Sequence, residues 1–206
     1  MVQPMATNNY LVTHSGIRFD LLNPTAGQVD LEDILFSLSN LNRYTGHVGP
    51  YSVLEHTNHV AYCVKELIQA INPSWYWTTQ IATQEALLHD MAEAYTGDIS
   101  TPMKQLLGPA FCEVEARINR VIRQKFDLPE ISEIPGHAYG IMQQADEMVT
   151  HAEALHFLGK DQADWATNPW PRFRPFGPRY YYQRKPVSAF DYQKSVFMHL
   201  WEDCQS

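Results

Sequence analysis

At 206 residues the chain is long enough for one sizeable core and short for two. A hydrophobic fraction of 45% and an aromatic fraction of 12% exclude a disordered chain. A formal net charge of -8 argues against a protein that coats nucleic acid through a broad basic face, although small anionic substrates stay open to it. No basic region followed by an apolar run opens the chain, and no apolar stretch is long enough to span a bilayer, so neither a signal peptide nor a membrane partner is expected. The three cysteines, Cys63, Cys112 and Cys204, are scattered and odd in number. Two lie in helical patterns, where a small buried apolar role is expected, and a reducing cytoplasm fits best.

Taken in chain order, Tyr10 to Phe19 alternates around Ser15-Gly16 and predicts a short β-hairpin. Asp30 is placed to cap a helix running through Ile34, Leu35, Leu38 and Leu41. Arg43 to Tyr51 is rich in breakers and in functional side chains, and reads as a loop. Ser52-Val53-Leu54-Glu55 is a capping-box pattern that starts a helix reaching about Asn72-Pro73 and puts His56 in its first turn. A second long helix is expected from near Thr78-Thr79 to the cluster His89, Asp90 and Glu93. Gly97-Asp98 makes a turn, and Thr101-Pro102 opens a short helix closed by Leu106 to Pro109. Further helices are expected over about 110–126, over about 137–158 with Asp146 near the middle, and over about 188–203. Between the last two, residues 161–186 form a Pro-, Arg- and aromatic-rich excursion. That segment is read as a wrap over the bundle or an oligomer contact, with single-strand binding or a lid over a triphosphate as alternatives. The whole predicts one all-α domain over 1–206, a helical bundle with a small N-terminal hairpin.

The chemistry concentrates where the apolar run Ala86-Leu87-Leu88 breaks into His89-Asp90. A histidine and a carboxylate at the edge of a buried helix are costly unless paired, and a divalent metal pairs with both. His56, His89, Asp90 and Asp146 together offer two imidazoles and two carboxylates. That set suits Co, Mn or Zn, with Mg, Ni or Fe also possible, better than calcium. Each has a plainer reading alone: a core or capping His56, a solvated Asp146. The ensemble is what points to a metal.

The order His56, then His89-Asp90, then Asp146 on successive helices resembles the HD-domain metal-dependent phosphohydrolases. Arg43-Tyr44-x-Gly46-His47, Tyr51-Ser52-Val53-x-Glu55-His56 and Leu87-Leu88-His89-Asp90-x-x-Glu93-Ala94-Tyr95-x-Gly97-Asp98-Ile99-x-x-Pro102-x-Lys104 are similar to the branch containing the bacterial 5′-deoxynucleotidases and their phage relatives. Those relatives include deoxynucleoside triphosphate triphosphohydrolases, among them dATP-hydrolysing enzymes of phages that replace adenine in their DNA. The resemblance is dense from about Leu31 to Lys104, continues thinly to Asp146, and stops helping beyond Gly159. Its pattern Gln143-Gln144-Ala145-Asp146-Glu147 makes Asp146 the expected acidic ligand, with Glu147 its rival by one position and Asp161 and Asp164 poorer choices.

The resemblance implies that Glu93 positions or deprotonates the attacking water and that Asp98 assists attack or protonates the leaving group. Glu93 follows His89 and Asp90 by about one helical turn, which independently lets it face the same cavity. Arg43 is the expected phosphate donor and Lys104 a second. Tyr44 would lie against the sugar or base, and against a deoxyribose ring it would discriminate sterically against a 2′-hydroxyl. His47 either touches a phosphate or a second metal, or stabilises its loop. The expected reaction is hydrolysis of 2′-deoxynucleotide 5′-phosphates at the α-phosphorus, with monophosphates favoured and triphosphate release the alternative. A di-iron oxygenase and a non-catalytic nucleotide-binding module are the remoter readings. No stable nucleic-acid partner is expected. The family favours a homodimer or larger homo-oligomer, in the cytoplasm, or in a host's cytoplasm if the protein is phage-encoded.

Overall fold

A computed structural model describes residues 9–159 and 190–205; the excursion expected over 161–186 lies outside them. The hairpin forms from β1 (Tyr10–Val12) and β2 (Arg18–Asp20), paired antiparallel with Leu11 opposite Phe19. Its turn uses Gly16 at φ 91, a conformation open to glycine without a Cβ clash. Buried Asp33 fastens the turn to the next helix, accepting from Thr13 Oγ1 at 2.6 Å and from Ser15 N at 2.7 Å. Phe19 is fully buried and stacks on Tyr95 with ring centroids 3.8 Å apart, so the hairpin plugs one end of the bundle.

Helices follow as α1 (Leu31–Asn40), α2 (Val53–Ile71), α3 (Tyr76–Leu88), α4 (Glu93–Thr96), α5 (Thr101–Leu107), α6 (Pro109–Lys125), α7 (Gly136–Phe157) and α8 (Phe190–Gln205). The all-α architecture with its N-terminal hairpin is the one the sequence predicts. Asp30 caps α1 by accepting from Asp33 N, and Leu41 is the residue after the helix rather than its last turn. Ser52 Oγ accepts from Glu55 N at 3.1 Å and so starts α2 where the capping pattern puts it. Within α2, Val53, Leu54, Val60, Ala61, Val64, Leu67 and Ile68 are buried at helical spacing, and the helix packs on both α3 and α7. α3 and α7 also pack on each other, making α2, α3 and α7 the central layer, while α8 covers α2 and α3 through Phe197 and Leu200. Buried Arg123 on α6 reaches Glu85 on α3 with two N–H donors, at 2.7 and 3.0 Å.

The structure refines several expectations. α3 begins at Tyr76, ahead of Thr78, and ends at Leu88, short of the polar cluster. His89 Nδ1 turns back onto the Ala86 carbonyl at 2.6 Å, and the chain tightens into a turn with Met91 N on Leu88 O and Glu93 N on Asp90 O. Glu93 therefore opens a separate short helix instead of continuing the one that carries His89. The loop at 43–51 holds a 3-10 turn over Tyr44–Gly46 in which Tyr44 and Thr45 take positive φ, 57 and 53. Of the cysteines, Cys63 is buried, Cys204 is half-buried and Cys112 is exposed. Among the described residues no helix is long and apolar enough to cross a membrane.

Candidate metal centre

Three elements converge on one point. The first turn of α2 delivers His56, which is fully buried; the end of α3 delivers His89 and Asp90; the middle of α7 delivers Asp146. His56 Nε2 lies 3.1 Å from Asp146 Oδ1, 3.4 Å from His89 Nε2 and 3.7 Å from Asp90 Oδ2. His89 Nε2 lies 3.0 Å from Asp90 Oδ2 and 4.0 Å from Asp146 Oδ1. An ion with ligands at about 2.1 Å needs neighbouring donors about 3 Å apart and opposite ones about 4 Å apart. These separations are compatible with a divalent ion held between buried His56, partly buried His89 and the neighbouring carboxylates. Glu147, the rival to Asp146, is exposed, and it is Asp146 whose carboxylate approaches both histidines.

Without a metal, the groups share protons instead. Burial opposes charging His89, yet Asp90 and then Asp146 outweigh it and push the imidazole up to about 9. Burial likewise disfavours charged His56, and Arg43 adds to that, but Glu153 and Asp146 carry its pKa above the ordinary value. Against the same desolvation, the histidines hold Asp90 well below the usual carboxylate range and bring Asp146 down to about 2.

Behind His56 stands Glu153, two turns beyond Asp146 on α7 and only 1% exposed. Its Oε1 accepts from His56 Nδ1 at 2.8 Å and from the Tyr51 hydroxyl at 2.6 Å; its Oε2 accepts from Arg43 Nε at 3.2 Å. Sequence reading missed this residue. The available signal was a polar stripe, Asp146, Thr150 and Glu153, at spacings of four and three along α7, which sets all three on one helix face. His59 lies with Nδ1 2.9 Å from the Tyr51 hydroxyl, and burial pulls its pKa down to about 4. His137 meets Thr78 Oγ1 at 3.2 Å.

A cavity of about 670 Å³ opens beside the cluster, lined among others by Arg43, Tyr44, Asp90, Glu93, Asp98, Lys104 and Asp146. Glu93 is 6% exposed, its Oε2 has no hydrogen-bond partner, and its Oε1 lies 3.5 Å from Lys104 Nζ. Burial, then Asp90 and Asp98, push this carboxyl up to about 8. Burial also raises Asp98. Lys104 reaches Glu115 at 2.9 Å as well. Arg43 touches Thr150 Oγ1 at 3.2 Å and comes within 3.8 Å of Asp90 Oδ2. Tyr44 donates to the Thr150 carbonyl at 3.4 Å. His47 is exposed and is absent from the cavity wall. Of the residues expected to bind substrate, the fold thus gathers Arg43, Tyr44 and Lys104 around one space and leaves His47 outside it.

The family model described as HD domain matches residues 40–152, which contain His56, the His89-Asp90 pair and Asp146. The chain belongs to the HD domain family. HD domains bind divalent metals and are metal-dependent hydrolases in general, and the His56, His89 and Asp146 donors, all within 4.8 Å of one another, are compatible with that chemistry. This HD-domain chain is similar to an uncharacterized protein of Rhodobacter capsulatus, 32% identical over 153 residues, or 73% of this chain and 74% of the relative. It is also similar to the uncharacterized protein YfdR of Escherichia coli, 34% identical over 128 residues, or 62% of this chain and 64% of that protein.

Proposed function

We propose that the protein hydrolyses 2′-deoxynucleotide 5′-phosphates at the α-phosphorus, releasing the deoxynucleoside and, from a monophosphate, inorganic phosphate. The observation that carries this reading is the cavity, which places a buried carboxyl, Glu93, and a guanidinium, Arg43, beside the His56, His89, Asp90 and Asp146 cluster. Those four side chains would hold a divalent ion, which when bound would supply Lewis-acid charge at the phosphoryl group and lower the pKa of an attacking water. Glu93 faces the cavity with one oxygen uncommitted, and in its ionised form beside a bound cation it would take that water's proton. Asp98, on the same wall, would give a proton to the leaving 5′-oxygen. Arg43 donates to a phosphate oxygen through the guanidinium edge that faces Asp90. Tyr44 lines the cavity, and a deoxyribose resting against its ring would leave little room for a 2′-hydroxyl.

The charge of the cavity supports a monophosphate. Its lining offers the cations Arg43 and Lys104 against the carboxyls of Asp90, Glu93, Asp98, Asp146 and Glu147, and both cations are already engaged by carboxylates. No further cation of the described lining is available to clamp β- and γ-phosphates. The deciding experiment incubates the protein with Mn, Co or Zn and a panel of dNMPs, dNTPs and ribonucleotides, and reads phosphate against triphosphate. Phosphate from dNMPs alone is expected. Triphosphate release from a dNTP replaces the monophosphate reading with the triphosphohydrolase one, and silence across the whole panel sinks both.

A further inference from the structure

We propose that Glu153 is a positioning residue that ties the metal centre to the phosphate-holding arginine, one carboxylate oxygen fixing His56 and the other fixing Arg43. Three donors converge on this 1%-exposed side chain: His56 Nδ1 at 2.8 Å, the Tyr51 hydroxyl at 2.6 Å and Arg43 Nε at 3.2 Å. Only an ionised carboxylate accepts from all three without presenting a proton of its own. One proton of His56 is therefore held on Nδ1, so Nε2, 3.1 Å from Asp146 Oδ1 and 3.4 Å from His89 Nε2, is the nitrogen that would turn its lone pair to an ion once its own proton is displaced. Carboxylates that accept from the distal nitrogen of a ligating histidine fix its tautomer and raise its basicity. Because the Tyr51 proton goes to Glu153, the 2.9 Å contact to His59 needs His59 Nδ1 as donor, and the second layer has one consistent set of protons.

The other oxygen of Glu153 sets the plane of the Arg43 guanidinium. With Nε on Glu153 and Nη2 on Thr150 Oγ1 at 3.2 Å, Nη1 is left 3.8 Å from Asp90 Oδ2 at the cavity wall. Thr150 Oγ1 in turn donates to Asp146 Oδ1 at 3.3 Å, so the arginine is referenced to the ligand cluster from both ends. One buried carboxylate thereby couples cation binding to anion binding.

This inference rests on the metal-dependent reading, and its test separates the two. Co2+ is titrated into wild-type protein and Glu153→Gln, read by visible absorption, and inorganic phosphate is then titrated into each Co2+-loaded protein. The Gln amide has one acceptor oxygen, so it serves His56 or Arg43 but not both. Glu153→Gln is expected to weaken Co2+ binding roughly 10- to 100-fold, to change the Co2+ band, and to weaken phosphate binding as well. Tyr51→Phe removes one donor and keeps both links, so it should retain the band and most of the affinity. A Glu153→Gln protein of lowered melting temperature but unchanged Co2+ affinity, band and phosphate affinity makes Glu153 a packing residue and overturns the proposal alone. Wild-type protein that gives no Co2+ band overturns the metal reading and the proposal together. Should Glu153→Gln not fold, nitrogen-15 NMR of histidine side chains in Zn2+-loaded wild type decides. His56 protonated at Nδ1 is expected, and a metal-ligating Nδ1 overturns the proposal.

Discussion

Glu93 combines two properties that a solvated helix-end carboxylate lacks: an oxygen with no partner and a pKa raised to about 8, by burial first and by Asp90 and Asp98 after it. Glu93→Gln keeps the shape and removes the base. It should lower hydrolysis by roughly 10²- to 10⁴-fold, the usual worth of a general base, while the Co2+ affinity of the four-residue cluster changes little. The same residue governs stability in metal-free protein. Its folded pKa of about 8 lies above the ordinary 4.5, so the stability it contributes is full below pH 4.5 and is lost as pH rises through 8. Thermal unfolding of chelated protein should therefore show wild type falling below Glu93→Gln by several degrees at pH 9, with the two drawing together near pH 5. Equal melting curves at pH 9 would mean that the carboxyl is solvated after all.

At the scale of elements, the start of α2 is where local stability and the site meet, because His56 is only one turn inside it. Ser52 Oγ accepts from Glu55 N at 3.1 Å and donates to Gln193 Oε1 at 3.1 Å, joining the cap of α2 to α8 in a buried position. Ser52→Ala removes the cap and orphans a buried amide oxygen, at a cost of about 1–2 kcal/mol. A fall in melting temperature of about 2–8 °C is expected from that range, together with weaker metal binding, since the turn that aims His56 is loosened. Caps of this kind were legible in the sequence, as were Gly16 in the hairpin turn, the close of α5 at Gly108 and the length of α7, because each depends on neighbours within a turn. The end of α3 was not. Apolar periodicity continues to Leu88, and what stops the helix is the His89 ring bonding back to Ala86 O, a choice between two local hydrogen bonds that residue types alone do not decide. Glu153 was illegible for the opposite reason. Its donors come from residues 43, 51 and 56, roughly a hundred positions away, so alone it reads as one more helical glutamate.

Across the whole molecule, negative charge accumulates at the cavity beside the ligand cluster. The chain carries a formal net charge of -8, and the cavity wall sets five carboxyls against Arg43 and Lys104. Phosphate can enter such a space only after a cation has changed its sign, which predicts ordered binding with metal first. A metal that joins α2, the end of α3 and α7 also staples the central layer, so it should raise stability by mass action. At a hundredfold excess over Kd the gain is about 2.7 kcal/mol, or roughly 5–11 °C in a chain of this size. The gain must depend on pH, because the metal has to displace protons from His56 and from His89, whose pKa is pushed up to about 9. Affinity therefore rises as pH rises toward 9, by up to about tenfold per pH unit for each proton displaced. Thermal melts with and without Mn2+ at pH 6 and pH 8 should show the larger gain at pH 8, and His56→Ala should abolish it. Calorimetric titration of a dNMP into EDTA-treated protein should give no heat of binding, and Mn2+ should restore it. Binding of comparable strength in the chelated protein would show that Arg43 and Lys104 hold the phosphate unaided, and the ordered scheme would fall.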